Sequence, residues 1–296
     1  MIINPATDPV WRNINLHTHT WRCHHAQGDV DAYCQKARER NLHLLGFSDH
    51  TPLPDGRWAS IRMDMSHLEA YDLAIETARH QYAPLHILKG MECEFVPEFV
   101  NFYRETLLDE RKFDYLVGGV HLFDCDGQWL YTSGGVQDAK TLRVYTDFFI
   151  AAMDSGLFRF MAHPDLFAGS WLHWDAQTQS CMRALLDAAR SLEIPLEINA
   201  NGLRQWPIQD GACRRQPYPW LPFWEMAAEF QIQVVVNADA HHPDEIHDGA
   251  VQRAFLMAES LLDQHSAFSW LEFFHASHGR SAVRRDGAEN GRIPFQ

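Results

Sequence analysis

The sequence predicts an α/β fold in which seven parallel strands alternate with helices and close into a (β/α)7 TIM-like barrel. Short apolar runs, typical of buried strands, alternate along the 296 residues with amphipathic segments of helical period. A metal-binding or phosphate-compatible side chain follows each apolar run. An open doubly wound sheet draws its site from only a few strands. Polar residues after all seven runs therefore favour a closed barrel with its site at the carboxyl ends of the strands.

The strands are predicted from the apolar runs and from the polar motif that ends each of them. The first run is short and leads into the histidine pair of NLHTHT, whereas the last is the strongly β-branched run QVVVN. We place the seven strands at residues 13–16, 43–47, 85–89, 115–120, 158–162, 195–198 and 232–237.

The helices are predicted from apolar periodicity and from capping residues. Asp29 is a candidate N-cap, Ser66 and Glu69 form a capping-box pattern, and Gly156 suits a helix end. Residues 48–65, which contain two prolines, are expected to form a long loop on the functional face. The predicted helices span residues 30–40, 66–82, 97–110, 138–155, 175–192, 218–230 and 247–262.

Composition limits the classes of protein and partner. Hydrophobic residues make up 46% of the chain, and the formal net charge is -14, so nucleic acid is not an expected partner. We find no signal-peptide pattern, no apolar run long enough to cross a bilayer and no paired-cysteine motif among six cysteines. We expect one domain over residues 1–296, a cytoplasmic location, and loose order in about the last ten residues.

The polar residues at the strand ends are of the kinds that bind transition metals. His17 and His19 are two positions apart, so on a strand both imidazoles face the same side. Imidazole combined with carboxylate suits zinc, manganese or iron better than calcium or magnesium, and Glu92 has two oxygens with which to bridge two metals. The predicted ligands are His17, His19, His25, His50, Glu92, His121, His163, Asp239 and His241. His24 remains an alternative to His25 as the outer ligand, and Asp49 is a candidate for orienting a ligand.

The motifs HTHT, SDH, GMECE, GGVH, AHPD and NADAH, in this order between about residues 15 and 250, resemble the polymerase and histidinol phosphatase (PHP) superfamily. The resemblance implies a distorted seven-stranded β/α barrel that binds two to three divalent metals. It implies three ligand groups. The first contains His17, His19, Glu92 and Asp239, the second contains Glu92, His121 and His163, and the third contains His25, His50 and His241.

The segments RMDMSHLEAYDLAIETARHQY, FDYLVGGVHLF and LEINANGLR look like the histidinol-phosphate phosphatase branch. They imply hydrolysis of a small phosphate ester, with L-histidinol phosphate as the leading substrate and metal-bound hydroxide as the attacking group. Glu92, Asp239 and His241 are the predicted catalytic residues. Arg204 is the first candidate for binding phosphate because a guanidinium fork fits two phosphoryl oxygens, and the other candidates are Asn199 and Arg62.

Four alternatives remain open at this stage. The chain could be a phosphatase or phosphodiesterase for another small metabolite, or a non-catalytic metal-binding module. A module that works on nucleic acid would be expected to show a basic groove, which this acidic chain does not suggest. An amidohydrolase would usually place lysine or a further histidine at the bridging position where Glu92 stands. The oligomeric state is not predicted.

Overall fold

Parallel strands form a nearly closed barrel with helices between them in the computed structural model, which describes residues 12–264 and 269–270. The strands are β1 (Ile14–Asn15), β2 (Leu44–His50), β3 (His86–Glu94), β4 (Tyr115–Gly119), β5 (Leu122–Cys125), β6 (Gln128–Tyr131), β7 (Phe160–Met161), β8 (Leu196–Asn199), β9 (Ile208–Asp210), β10 (Cys213–Arg215), β11 (Gln233–Asn237) and β12 (Ser269–Trp270). The main sheet has the order β1-β2-β3-β4-β7-β8-β11-β12. The predicted seven-stranded α/β barrel is confirmed.

The barrel closes where β1 meets β11. The backbone N–H of His19 donates to the carbonyl of Ala240 (2.9 Å), just beyond the two strands. Two asparagine side chains complete the seam: Asn15 Oδ1 accepts from the N–H of Ala238 at 2.7 Å, and Asn237 Oδ1 accepts from the N–H of Leu16 at 2.8 Å. These bonds replace the ladder that two short strands cannot form.

The helices lie where the periodicity predicts them, except that one helix begins without its predicted capping box and another predicted α-helix is a 3-10 turn followed by a π-helix. They are α1 (Val30–Glu39), α2 (Leu68–Gln81), α3 (Thr132–Gly135), α4 (Ala139–Asp154), α5 (Ala176–Ser191), α6 (Leu221–Ala228) and α7 (Gly249–Gln264). Asp29 caps α1 as predicted. The capping box at Ser66 does not form, because a 3-10 turn over Met65–His67 precedes α2 and no side chain caps that helix. The predicted helix 97–110 is a 3-10 turn followed by a π-helix, Phe102–Glu110.

Two of the barrel strands extend further than predicted. β2 continues through His50, so the first three residues of the predicted loop 48–65 belong to the strand, and β3 continues through Glu94. The two strands pair in register up to His50 and Glu92. The metal-compatible side chains of both strands are therefore placed by sheet geometry and not by loop conformation.

The hydrophobic core has two parts. A large cluster packs between the strands and the surrounding helices, and a smaller cluster of seven buried residues, including Leu16, Tyr115 and Val235, fills the barrel. The hydroxyl of Tyr115 donates to the carbonyls of Leu16 (2.8 Å) and Phe47 (3.2 Å). This apolar layer lies below the polar carboxyl-end face and gives it a rigid floor.

Two hairpins, β5–β6 and β9–β10, were not predicted, and the first of them carries Tyr131 to the mouth of the barrel. β12 pairs in parallel with the start of β11. Within the described residues, no helix is long and apolar enough to span a bilayer. The prediction of loose order in the last ten residues lies outside the described residues, and the single-domain assignment stays a prediction.

Candidate metal centre

Glu92, at the carboxyl end of β3, is the centre of the polar cluster. It is 1% exposed, and each of its two oxygens faces a different set of imidazoles. Its Oε1 lies 3.1 Å from Nε2 of His163 and 3.5 Å from Nε2 of His121. Its Oε2 lies 3.4 Å from Nε2 of His17, 3.5 Å from Nε2 of His19 and 3.1 Å from Nδ1 of His50. This arrangement suits a carboxylate that bridges two cations.

Asp239 shares two of the imidazoles that Glu92 faces, those of His17 and His19. Its Oδ1 lies 3.6 Å from Nε2 of His17 and 3.1 Å from Nε2 of His19. It follows β11 with a φ of 46°, a left-handed conformation that is uncommon outside glycine. Two imidazoles and two carboxylates thus converge from β1, β3 and β11, as expected for ligands of one cation.

Three further histidines form the outer part of the cluster. The ring centroid of His25 is 5.1 Å from that of His50 and 4.9 Å from that of His241. His25 lines the central cavity, whereas Nε2 of His24 is 3.6 Å from Asp64 Oδ2. The geometry thus favours His25 over His24 as the outer ligand. Cys23, which the sequence reasoning had left out, places its sulfur close enough to the nitrogens of His25 and His241 for the three to form a cation-sized group.

Unpaired buried atoms show that cations fit this cluster. Burying a polar atom without a partner costs free energy, so such atoms concentrated in one place indicate a missing ligand. The atoms of the cluster that have no hydrogen-bond partner within residues 12–264 and 269–270 are Nε2 of His17, both ring nitrogens of His19, Nδ1 of His50, Oε2 of Glu92 and Oδ1 of Asp239. The mixed nitrogen and oxygen donors suit divalent transition metals.

The pKa shifts describe a cluster in which imidazoles and carboxylates hold each other charged. Burial disfavours charge, but the carboxylates of Glu197, Asp239 and Glu92 outweigh it and raise the pKa of His17 well above its ordinary value. Burial also works against ionised Glu92, yet its histidine neighbours hold its pKa well below the ordinary range. His241 behaves differently, because burial and the neighbouring His19 lower its pKa to about 3. Its imidazole is therefore neutral and free to bind a cation at neutral pH.

A second layer of buried carboxylates orients the histidines, and the sequence reasoning missed most of it. Nδ1 of His17 is 2.8 Å from Glu197, and Nδ1 of His121 is 2.5 Å from Glu94. Asp49 Oδ1 lies 3.6 Å from Nδ1 of His19, beyond hydrogen-bond distance, so the role of Asp49 in orienting a ligand stays a prediction. The spacing alone could have revealed Glu94, because it is two positions after Glu92 on the same strand and shares its face.

Asn199 belongs to this second layer and does not line the cavity, contrary to the prediction that it binds substrate. It is fully buried, and its amide donates to Glu197 (2.7 Å) and to Asp239 Oδ2 (3.0 Å). The neighbouring Asn201, which was not predicted, lines the cavity and lies 3.3 Å from the same Asp239 oxygen. Asn199 therefore holds Asp239 in place.

A cavity of about 280 Å³ lies at the mouth of the barrel, and Arg62 is the one arginine among the described residues that line it. Arg62 is 2% exposed and is 3.0 Å from Glu94, while its Nε and Nη1 have no hydrogen-bond partner among the described residues. Arg204 lies elsewhere, because its guanidinium is paired with Asp248 (2.9 Å) and donates to the carbonyls of Ala238 and Glu245. The prediction that Arg204 binds phosphate is thus not supported by its contacts, whereas Arg62 is well placed.

Comparison with known proteins agrees with this architecture. The family model of the PHP domain matches residues 15–201. A Deinococcus radiodurans protein named "Probable histidinol-phosphatase" is 30% identical over 240 residues, which is 78% of this chain and 86% of that protein.

Two solved structures share the fold. One is a provisionally assigned histidinol phosphatase from Listeria monocytogenes, with a TM-score of 0.66 and 21% identity, covering 81% of this chain and 99% of that one. The other is the histidinol phosphate phosphatase of Lactococcus lactis, solved with zinc, L-histidinol and phosphate. It has a TM-score of 0.63 and 17% identity, covering 87% of this chain and 95% of that one. The family model and the Deinococcus relative together show that the chain belongs to the PHP-domain family.

Proposed function

We propose that the protein is a metal-dependent phosphomonoesterase whose best-supported substrate is L-histidinol phosphate. The observation that carries the proposal is the position of Glu92, whose two oxygens face separate imidazole groups within 3.5 Å. Next to this cluster lies a small cavity with a buried, partly unpaired guanidinium. Cation ligands beside an anion-binding group are what hydrolysis of a phosphate ester requires.

The histidines and carboxylates described above would hold two to three divalent cations of zinc, manganese or iron. His17, His19, Glu92 and Asp239 would hold the first, and His121 and His163 would share Glu92 for the second. His25, His50 and His241 would hold a third. Bound cations supply Lewis-acid stabilisation of phosphoryl oxygens and acidify a water molecule.

Arg62 takes the place proposed earlier for Arg204 as the phosphate-binding residue. Arg62 lines the cavity together with His241 and Asp239, and two of its guanidinium nitrogens have no hydrogen-bond partner in the part of the chain that the structure describes. A phosphoryl oxygen in the cavity would accept from these donors, and the positive charge would offset the negative charge that develops during the transfer. Glu92, Asp239 and His241 remain the proposed catalytic residues because they surround the same space.

The walls of the cavity suit a small organic group. Tyr131, Tyr218 and Leu166 provide aromatic and aliphatic contacts, and Asn201 and Ser133 provide polar ones. The names of the Deinococcus and Lactococcus relatives support histidinol phosphate. One observation supports a second candidate, the phosphate ester of another small metabolite. Among the described residues that line the cavity, the carboxylate is that of Asp239, a proposed metal ligand, so none of the others offers a negative charge to the ammonium group of histidinol.

An assay of the metal-loaded protein on a panel of esters tests the proposal. We expect histidinol phosphate to exceed p-nitrophenyl phosphate and glycerol phosphate in kcat/KM by about tenfold or more, as a pocket matched to one leaving group permits. A diester such as bis-p-nitrophenyl phosphate should react poorly. A higher kcat/KM for another monoester would favour the second candidate. No hydrolysis of any ester by protein with its metals bound would reject the phosphatase.

A further inference from the structure

Glu94 has contacts that the metal ligands do not explain. It is fully buried at the end of β3, two residues after Glu92 and on the same face of the strand. Its Oε1 lies 3.0 Å from Nη2 of Arg62 and 2.5 Å from Nδ1 of His121. Its two oxygens also accept from the backbone N–H groups of His121 (3.2 Å) and Leu122 (2.9 Å). Three of the four partners, the guanidinium and the two backbone N–H groups, can only donate, and an ionised carboxylate accepts from all of them.

We propose that Glu94 is a positioning residue that aligns two separate parts of the site, the metal ligand His121 and the phosphate-binding Arg62. The inference rests on the proposed function, because it assigns phosphate to Arg62. It goes further by making one carboxylate responsible for both cation retention and phosphate affinity.

On the metal side, Glu94 sets the tautomer of His121. The carboxylate accepts the proton of Nδ1, which leaves Nε2 unprotonated and directed to within 3.5 Å of Glu92 Oε1. His121 is the partly exposed member of its pair, with 26% of its side chain accessible, whereas His163 is buried. It therefore depends on Glu94 for its orientation more than the enclosed histidines do.

On the phosphate side, Glu94 holds one end of the Arg62 guanidinium. The face of Trp58, whose ring centroid is 5.5 Å from Cζ of Arg62, restricts the plane of the group. Glu94 engages Nη2 and so fixes the guanidinium beside the cavity, while Nε and Nη1 are buried and have no hydrogen-bond partner among the described residues. A preorganised donor loses less entropy on binding than a free arginine side chain would.

A double-mutant cycle tests both halves without relying on turnover. The variants are Glu94→Gln, Arg62→Met and the double variant. Glu98→Gln is the matched control, because Glu98 lies in the turn that follows β3 and its side chain is 63% exposed. The binding of inorganic phosphate to zinc-loaded protein is measured by calorimetry. Retained zinc is measured by elemental analysis after dialysis.

We expect Arg62→Met to weaken phosphate binding by about 10–100-fold without loss of zinc, the range typical of disturbing a preorganised site. Glu94→Gln should weaken phosphate binding and also lower retained zinc. The amide N–H group of the new side chain cannot accept a hydrogen bond, so it would repel the donors of Arg62 and His121 that the carboxylate holds in place. With zinc kept in saturating excess, so that every variant is fully loaded during the phosphate titration, the double variant should bind phosphate no more weakly than Arg62→Met alone. The Glu98→Gln control should match the parent in both measurements.

Additive losses of phosphate affinity would show that Glu94 does not act through Arg62, and unchanged zinc in Glu94→Gln would show that it does not act through His121. If Glu94→Gln fails to fold, Glu94→Asp replaces it in the same cycle, since it keeps the charge but cannot reach both partners. Absence of phosphate binding by the parent would overturn the role given to Arg62. If the double-mutant cycle gives the expected results but the protein hydrolyses no ester, the phosphatase assignment would be rejected and the positioning role of Glu94 would remain supported.

Discussion

At the residue scale, two arginines that the sequence places near the barrel mouth have opposite surroundings. Arg204 joins the end of β8 to the start of α7 through Asp248 and two carbonyls, whereas Arg62 lies in the cavity beside Glu94. The sequence could not separate them, because their roles depend on partners 44 and 32 positions away along the chain. A guanidinium is equally suited to a helix terminus and to a phosphate.

Replacing each arginine by methionine should separate their roles. Arg204→Met should lower the free energy of unfolding by about 2 kcal/mol, because it removes charge-assisted hydrogen bonds and leaves Asp248 without its ion-pair partner. It should leave KM for a phosphate ester near the parent value. Arg62→Met should raise KM by about tenfold or more. Chemical denaturation and steady-state kinetics of both variants provide the measurements, and the reverse pattern would restore Arg204 as the phosphate-binding residue.

Glu92 is the residue whose loss should matter most. Glu92→Gln keeps the size of the side chain but removes the charge that faces five imidazoles, so we expect it to lose bound metal and to abolish hydrolysis. The far-ultraviolet circular dichroism should stay that of the parent, because apolar side chains fill the barrel below. Metal content by elemental analysis and turnover of p-nitrophenyl phosphate check the outcome. Full turnover by a metal-free Glu92→Gln protein would exclude the assigned role.

The candidate metal ligands could be predicted because they lie at or just beyond the carboxyl ends of the strands. His17 and His19 are two positions apart, and the same spacing relates Glu92 to Glu94 and Glu197 to Asn199. The sequence does not reveal which member of such a pair faces the cations and which supports a ligand. Asn199, for example, is fixed by Asp239, which is 40 residues away.

At the element scale, the barrel interior depends on one tyrosine and two glycines. A Cβ on Gly46 would lie 2.2 Å from the hydroxyl of Tyr115, and one on Gly90 would lie 2.5 Å from its ring. β2 and β3 therefore leave room for a ring that reaches the carbonyls of Leu16 and Phe47. The Tyr115 side chain thus links β4 to the backbone of β2 and of Leu16, the residue after β1, across the barrel interior.

Gly46→Ala should destabilise the protein by about 1–3 kcal/mol, the usual cost of overpacking a filled core. Gly134→Ala is the matched control, because nothing lies within 4 Å of its added methyl group, and it should have little effect on stability. Urea denaturation of the two variants measures the difference. Equal stabilities would mean that Tyr115 moves aside without cost.

The elements that the sequence predicted best have local signals. α1 and α4 begin at aspartates that accept hydrogen bonds from the first turn, as the sequence around Asp29 suggested. The pattern at Ser66 is equally good, yet a 3-10 turn takes its place. The two hairpins were missed because strands of three or four residues contain too few positions for alternation to show.

At the scale of the whole molecule, closure of the barrel brings the N-terminal histidines against the last of the motifs. The seam between β1 and β11 places His17 and His19 within 3.6 Å of Asp239, more than 200 residues later. The order of the motifs along the chain predicted that the first and last of them lie close together in the barrel. The sequence does not predict the hydrogen bonds of Asn15 and Asn237 that complete the seam. Each side chain accepts from a backbone N–H group, that of Ala238 or Leu16, and a backbone group is the same whatever the residue.

The opposed charges in the cluster predict how pH and metal act together on stability. The pKa values of His17, His19 and His163 are raised because nearby carboxylates outweigh burial. Their stabilising contribution to the metal-free protein is complete below the unfolded pKa of 6.5 and is lost as pH rises through the folded values. Glu92 and Asp239 have lowered pKa values. Their contribution to stability is therefore complete above their unfolded pKa values of 4.5 and 3.8 and is lost as the pH falls through the folded values.

Bound zinc should restore the stability that the metal-free protein loses as the pH rises. Cations require unprotonated imidazoles, so zinc binds more tightly as these histidines release their protons, and a ligand that binds only the folded state raises Tm. We therefore expect the increase in Tm caused by excess zinc to grow as the pH rises from about 5.5 to 8. Thermal unfolding of metal-free and zinc-loaded protein across this range measures the increase. An increase that stays constant or shrinks with pH would mean that zinc binds somewhere other than these imidazoles.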